Sequence, residues 1–261
     1  MVIAKAGWIG ALAWGLALAF CLALPVPARA VVNPPDTIGL FRPDAPSPNN
    51  TFFLRNANTL APPANTIAGF GNTGDVGVVG DWDGDGITNI GVFRPNTPAG
   101  SNTFFLRNTN SLGTGDITVG TIGQIGDIPI VGDWDGNGTT TVGLFRPNDP
   151  PGSNTLFLWN SNTDPPGPPD ITIAGIGAAG DLPIVGRWTG GAASSIGLLR
   201  SNDPVGLNTF FIWNTLPLTP PYIPDATIAG IGAVGDLPVA GDWNANATAT
   251  IGPSGRERHR A

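Results

Sequence analysis

The sequence predicts an all-β fold, a four-bladed β-propeller of four-stranded repeats about 52 residues long, on three observations. There are 38 glycines and 27 prolines among 261 residues, and each costs a helix interior roughly 1 and 3 kcal/mol respectively. Hydrophobic residues make up 41% of the chain, too many for a wholly solvated polymer. One pattern also returns four times. GDVGVVGDWDGDGITNIGVFRP begins at Gly74, GDIPIVGDWDGNGTTTVGLFRP at Gly126, GDLPIVGRWTGGAASSIGLLR at Gly180 and GDLPVAGDWNANATATIG at Gly235. The second GD slot holds Asp81, Asp133, Arg187 and Asp242, at spacings of 52, 54 and 55 residues.

Within the unit that starts at Gly126, four runs read as strands: Ile128 to Trp134, Thr141 to Arg146, Thr155 to Asn160 and Ile171 to Ile176. Each is short, rich in Val, Ile, Phe and Thr, and bounded by Gly, Pro, Asn or Asp. Four strands in about fifty residues is the size of a propeller blade, which exposes apolar faces unless it has neighbours. Length varies only in Pro-rich stretches such as Asp164 to Asp170 and Leu216 to Pro224, as in surface loops. The repeats open at a second strand, DTIGLFRP from Asp36 to Pro43, and the last unit ends soon after its first. That makes sixteen strands, with Leu237 to Trp243 expected to complete the blade begun by residues 36 to 72 and so close the ring. An open stack, or part of a larger ring, is the other arrangement these units allow.

Residues 1 to 30 differ in kind. The chain's one lysine, Lys5, precedes an apolar run from Gly7 to Leu24, and Ala28-Arg29-Ala30 supplies a small-x-small end. This is the pattern of a secretory signal cut after Ala30, and it implies a secreted or cell-surface protein. A retained membrane anchor is the alternative, because the run approaches the ~18 residues that span a bilayer. Cys21 follows Phe20, too large a neighbour for lipoprotein processing. The repeat domain, residues 31 to 252, then contains neither cysteine nor lysine. Disulfides cannot staple it, nothing else in it is long and apolar enough to span a membrane, and the full chain's net charge of −7 disfavours nucleic acid. Residues 253 to 261 leave the pattern for a basic ending, expected to be a disordered tail left by truncation or a shifted reading frame.

The hairpin tips carry the chemistry. Asp81, Asp83 and Asp85 stand at positions 1, 3 and 5 of one loop, Asn89 at position 9, and the backbone carbonyl near Ile87 lies between. Alternating oxygen ligands on a tight turn suit calcium, which takes 6 to 8 of them. Three carboxylates so close would repel one another without a cation. An EF-hand is excluded, since position 12 is Val92 rather than glutamate and the flanks are strands. Asp133, Asp135, Asn137 and Thr141 repeat the arrangement with two carboxylates, implying weaker binding. Asp242, Asn244 and Asn246 keep a single acid, and Arg187, Thr189 and Gly191 keep none. An Asp/Asn/Gly turn with no metal is the simpler reading of any such loop.

GDWDGDG followed by IGVFRP, TFFLRN and an IAGxGxxGD stretch resembles the FG-GAP/VCBS-type repeats of secreted bacterial proteins, over about residues 36 to 252. Those repeats are similar to the blades of the integrin alpha-subunit propeller, whose DxDxDG hairpins bind calcium. The resemblance implies calcium at Asp81, Asp83, Asp85 and Asn89 and at Asp133, Asp135 and Asn137; Arg187 and Ala247 depart from it.

Other recurring residues have structural readings. Trp82, Trp134, Trp188 and Trp243 are expected to pack between blades, and Phe52-Phe53, Phe104-Phe105 and Phe210-Phe211 to form core strands. Arg42, Arg94, Arg146 and Arg200 follow each second strand, where they are expected to lie on apolar surface with the charge in water or paired to a repeat acid. One slot varies between Arg55, Arg107, Trp159 and Trp213, which makes it a candidate for partner contact beside a structural role. Catalytic groups are scarce: His259 and Glu257 sit in the tail, and the repeat domain has no cysteine or lysine. The expected function is therefore non-catalytic, a calcium-binding adhesion or recognition module for a protein or glycan at the cell surface. A lectin stacking sugars on Trp159 and Trp213 is the alternative, and an aspartate-based polysaccharide-acting enzyme a more remote one.

Overall fold

The computed structural model describes residues 36–254 apart from 46, 60 and 165. The segment expected to be a signal peptide, and the tail from residue 255 onward, lie outside these. The described residues are all β, with no helix, and form a four-bladed β-propeller. Three blades are complete antiparallel four-stranded sheets. The first holds β4 (Val76–Gly80), β5 (Asn89–Arg94), β6 (Asn102–Leu106) and β7 (Ile117–Ile122). The second holds β8 (Ile128–Gly132), β9 (Thr141–Arg146), β10 (Asn154–Leu158) and β11 (Ile171–Ile176). The third holds β12 (Leu182–Gly186), β13 (Ser195–Ser201), β14 (Asn208–Ile212) and β15 (Ala226–Ile231). The chain ends supply the rest: a sheet of β1 (Leu40–Arg42), β2 (Asn50–Leu54) and β3 (Asn65–Phe70), and a hairpin of β16 (Leu237–Gly241) and β17 (Thr250–Ser254).

The innermost strands line up in sequence order, β4 beside β8, β8 beside β12 and β12 beside β16. Apolar layers fill the spaces between sheets. Phe52, Ile67 and Phe70 pack on Ile90 and Val92, Leu106, Val119 and Ile122 on Val142 and Leu144, and Leu158, Ile173 and Ile176 on Ile196 and Leu198. Burying both faces of each central sheet is what the near-continuous apolar composition of β5, β9 and β13 requires.

Within each of the three complete blades an ion pair pins the inner strand to the second. The register Ile128↔Phe145 brings Asp127 opposite Arg146, whose Nε and Nη2 donate to the two carboxylate oxygens at 2.8 and 2.9 Å. Arg94 holds Asp75 and Arg200 holds Asp181 in the same bidentate way. Each guanidinium also lies over an aromatic ring, Phe105, Phe157 or Phe211, at 4.5–4.6 Å. The carboxylates are all but buried. Hydrogen bonding to Asp127 and Asp181, outweighing burial, raises the Arg146 and Arg200 pKa values above the ordinary guanidinium value.

A second contact links each sheet to the next. The carbonyl of Asp81 accepts the Thr140 N–H at 2.6 Å, that of Asp133 the Ser194 N–H at 2.6 Å and that of Arg187 the Ala249 N–H at 2.8 Å. The carbonyl of Asp242 accepts the Asp36 N–H at 2.7 Å, and the Asp36 carboxylate in turn accepts the Asp242 N–H at 2.6 Å.

The chain ends thus meet, but not as the sequence suggests. The described residues form seventeen strands rather than sixteen, because residues after Gly241 turn back as β17. β16 pairs over Leu237↔Ser254 to Gly241↔Thr250 with β17 instead of with β1. The strand also runs two residues past Gly252, so Pro253 and Ser254 belong to the sheet rather than to an irregular tail.

Candidate metal site

The tip between β4 and β5 is shaped by its first residue. Asp81 Oδ1 accepts the N–H groups of Gly84 and Asp85 at 2.8 and 3.1 Å, and Oδ2 accepts that of Gly86 at 2.8 Å. A carboxylate offers about four lone-pair positions, so three amides leave one for a cation. Gly84 and Gly86 sit at φ 76° and 85°, a left-handed bend that brings position 5 back beside position 1. Carboxylate oxygens of Asp81, Asp83 and Asp85 consequently lie within 4.8 Å of one another. Asp83 is exposed and its side chain has no hydrogen-bond or ion-pair partner, while Asp85 Oδ1 accepts the Ile87 N–H at 2.7 Å. An all-oxygen, triply negative cluster fits a hard divalent cation better than a soft one.

The remaining expected ligands lie at the base of the hairpin. Asn89 opens β5 opposite Gly80 and is buried, and its Nδ2 donates to the Ile87 carbonyl at 2.8 Å. The amide nitrogen is spent on the very carbonyl expected to join it around an ion.

The tip between β8 and β9 has the same backbone. Asp133 accepts the N–H groups of Gly136, Asn137 and Gly138 at 2.8–3.0 Å. Here Asn137 Nδ2 donates to Asp135 Oδ2 at 3.1 Å, and Asn137 Oδ1 accepts the Thr139 N–H at 2.7 Å. The amide supplies internally the positive end that a third carboxylate would need from an ion. Thr141 is buried in β9 and gives its hydroxyl to the Gly132 carbonyl at 3.2 Å.

The tip between β16 and β17 keeps the bend without glycine. Asp242 accepts the N–H groups of Asn246 and Ala247 at 3.0 and 2.7 Å, with Ala245 and Ala247 at φ 60° and 63°. The loop that follows β12 has lost the carboxylate staple, and Arg187 makes no ion pair. Position 1 thus does two jobs, folding the tip and offering an oxygen, and the spacing alone does not separate them.

The tryptophans after the second GD slot close these hairpins. Trp82, Trp134 and Trp188 donate Nε1–H to the carbonyls of Ile90, Val142 and Ile196, each at 3.2 Å. A Cβ on Gly80, Gly132, Gly186 or Gly241 would come within 2.6–2.7 Å of the ring two residues on, which is why the tryptophan always follows Gly-x.

The variable slot, a candidate for partner contact, is buried or hydrogen-bonded to its own loop. Arg107 is buried and donates to the Thr114 carbonyl, Thr109 Oγ1 and Ser111 Oγ. Trp159 is buried and donates to the Gly167 carbonyl at 2.8 Å, and Arg55 donates to the Thr59 and Ala61 carbonyls. Arg55, Arg107 and Trp159 each use an N–H to hold the loop between third and fourth strands, whereas Trp213 Nε1 is buried with no hydrogen-bond partner among the described residues. Trp213 is buried too, so neither tryptophan offers a face on which a sugar could stack.

No protein-family model matches the chain, and no curated protein or solved structure is significantly similar to it.

Proposed function

We propose that the protein is an exported, calcium-binding repeat propeller of the FG-GAP/VCBS type that its repeats resemble. In this reading it is a non-catalytic adhesion or recognition module for a protein or glycan at the cell surface. The observation that carries the metal half is the cluster of half-buried Asp81 with exposed Asp83 and Asp85, with oxygens within 4.8 Å and, among the described residues, no cationic side chain on them. Asp133 and Asp135 form the weaker site. The non-catalytic half draws on how the aspartates are used: Asp75, Asp127 and Asp181 are neutralised by arginine, and Asp81, Asp133 and Asp242 are capped by backbone amides. The lectin reading loses its support with the burial of Trp159 and Trp213.

Calcium that binds only the folded state adds RT ln(1 + [Ca]/Kd), about 2.7 kcal/mol at a hundredfold excess over Kd. At roughly 2–4 °C per kcal/mol for a domain of this size, the melting midpoint rises by about 5–11 °C. Asp83→Ala removes most of that rise without disturbing the amide staple on Asp81. A midpoint indifferent to calcium and to chelator refutes the metal site.

A further inference from the structure

The two chain ends carry complementary parts of one blade. Arg42 lies over Phe53 at 4.7 Å, as its counterparts lie over Phe105, Phe157 and Phe211, yet it has no carboxylate among the described residues. Asp236 has the converse deficit. It accepts the Ala233 N–H at 2.8 Å, as Asp127 accepts that of Gln124, but among the described residues no arginine reaches it. Val239 is 41% exposed where Val78, Ile130 and Ile184 are 6–8% exposed. Trp243 is 36% exposed and makes no hydrogen bond, whereas Trp82 is 2% exposed and bonds to Ile90. On the other side, Ile38 and Leu40 are 52% and 55% exposed, against 0–1% for Ile90 and Val92. Among the described residues β1 is an edge strand, with no strand on the side where β4, β8 and β12 join their sheets.

We propose that the edge of β1 is a docking site for the β16 segment, Gly235–Trp243, of a second copy of this chain. The occupant is argued from the three complete blades, which show what this edge takes. It is an extended strand headed by an aspartate, apolar at the third residue after it and closed by a tryptophan. Among the described residues, β16 is the strand of that pattern whose aspartate has no arginine. Docked in the register of Ile128↔Phe145, the incoming Asp236 meets Arg42, Val239 covers Leu54 and Trp243 reaches the Ile38 carbonyl. Within one copy β16 is held beside β12, and the Asp36–Asp242 hydrogen bonds fix it as the neighbour of the β1 sheet. Its partner β17 carries Pro253 in the ladder, and in the sequence a glycine follows Ser254 where the other units have their closing arginine. Release of this C-terminal hairpin and its capture by another copy is strand exchange, and reciprocal exchange gives a closed dimer.

The test is light scattering of the full chain over a wide concentration range, with charge-reversed variants. Wild type associates reversibly. Arg42→Asp and Asp236→Arg each weaken association by about tenfold or more, because like charges then face each other. An equimolar mixture of the two variants recovers wild-type association, since every junction between unlike copies pairs opposite charges. A wild-type chain monomeric throughout overturns the proposal, as do single variants that associate like wild type. A mixture that stays dissociated overturns it as well. Circular dichroism of each variant, matching wild type, confirms that loss of association is not loss of fold. The calcium reading is untouched by any of these results, since Asp81, Asp83 and Asp85 take no part.

Discussion

Arg146→Ala isolates the pin that joins inner and second strands. The substitution leaves the Asp127 carboxylate buried with one remaining donor, the Gln124 N–H. Stranding one partner of a buried ion pair costs about 3–5 kcal/mol, and the lost stacking on Phe157 adds about 0.5–1 kcal/mol. Taking about 4 kcal/mol and roughly 3 °C per kcal/mol, the melting midpoint falls by about 12 °C. Arg42→Ala is the internal control, because that arginine stacks on Phe53 without a carboxylate. It forfeits only the cation–ring contact, about 0.5–1 kcal/mol or roughly 2–3 °C. Differential scanning calorimetry of dilute samples measures both. Equal losses, or an Arg146→Ala loss no larger than the control's, refute the claim that the buried carboxylate rather than the stacked guanidinium sets the cost.

The hairpin tips give three more outcomes. Asn137→Asp supplies a third carboxylate and removes the Asn137–Asp135 hydrogen bond, so the melt falls without calcium and gains a larger calcium-dependent rise, measured by thermal unfolding with and without chelator. Ala247→Gly relieves a left-handed alanine at φ 63° and stabilises by about 1 kcal/mol, visible as a higher urea midpoint. Gly132→Ala drives a Cβ to 2.6 Å from the Trp134 ring and costs about 1–3 kcal/mol, with a changed near-ultraviolet circular dichroism band from the displaced indole.

The blades were legible because their punctuation is rigid. Gly-Asp, Gly-x-Trp and the closing Arg stand at constant offsets, and constant offsets around short apolar runs mean equivalent hairpins. The acid partner of Arg146 was legible as a type of residue but not by position, since Asp127 lies nineteen residues away. It becomes the partner only once the register Ile128↔Phe145 is known. β17 was hidden by Pro253, which reads as a strand breaker. At a sheet edge, however, a proline lacks only an N–H that faces away from the ladder. The role of the Arg107 and Trp159 slot was hidden for a different reason. Two side chains that look unlike share one capacity, an N–H on a long flat group, and the backbone carbonyl they satisfy is silent in a sequence. At the metal tip the carboxylate spacing was fully visible, whereas the backbone amides that share Asp81 and Asp133 depend on a bend that only coordinates reveal.

The link from one sheet to the next has a consequence for how such a chain grows. Its shared element joins main chain to main chain, and it persists where Arg187 stands in place of aspartate. The salt pin, by contrast, is private to each blade. A unit can therefore be duplicated, deleted or shuffled without stranding a charge or demanding matched neighbours. Loop chemistry can also decay in one copy while the ring retains its joints. The four tips here, graded from three carboxylates to none, all sit on sheets linked by the same main-chain contact, so the joint does not depend on the tip's charge.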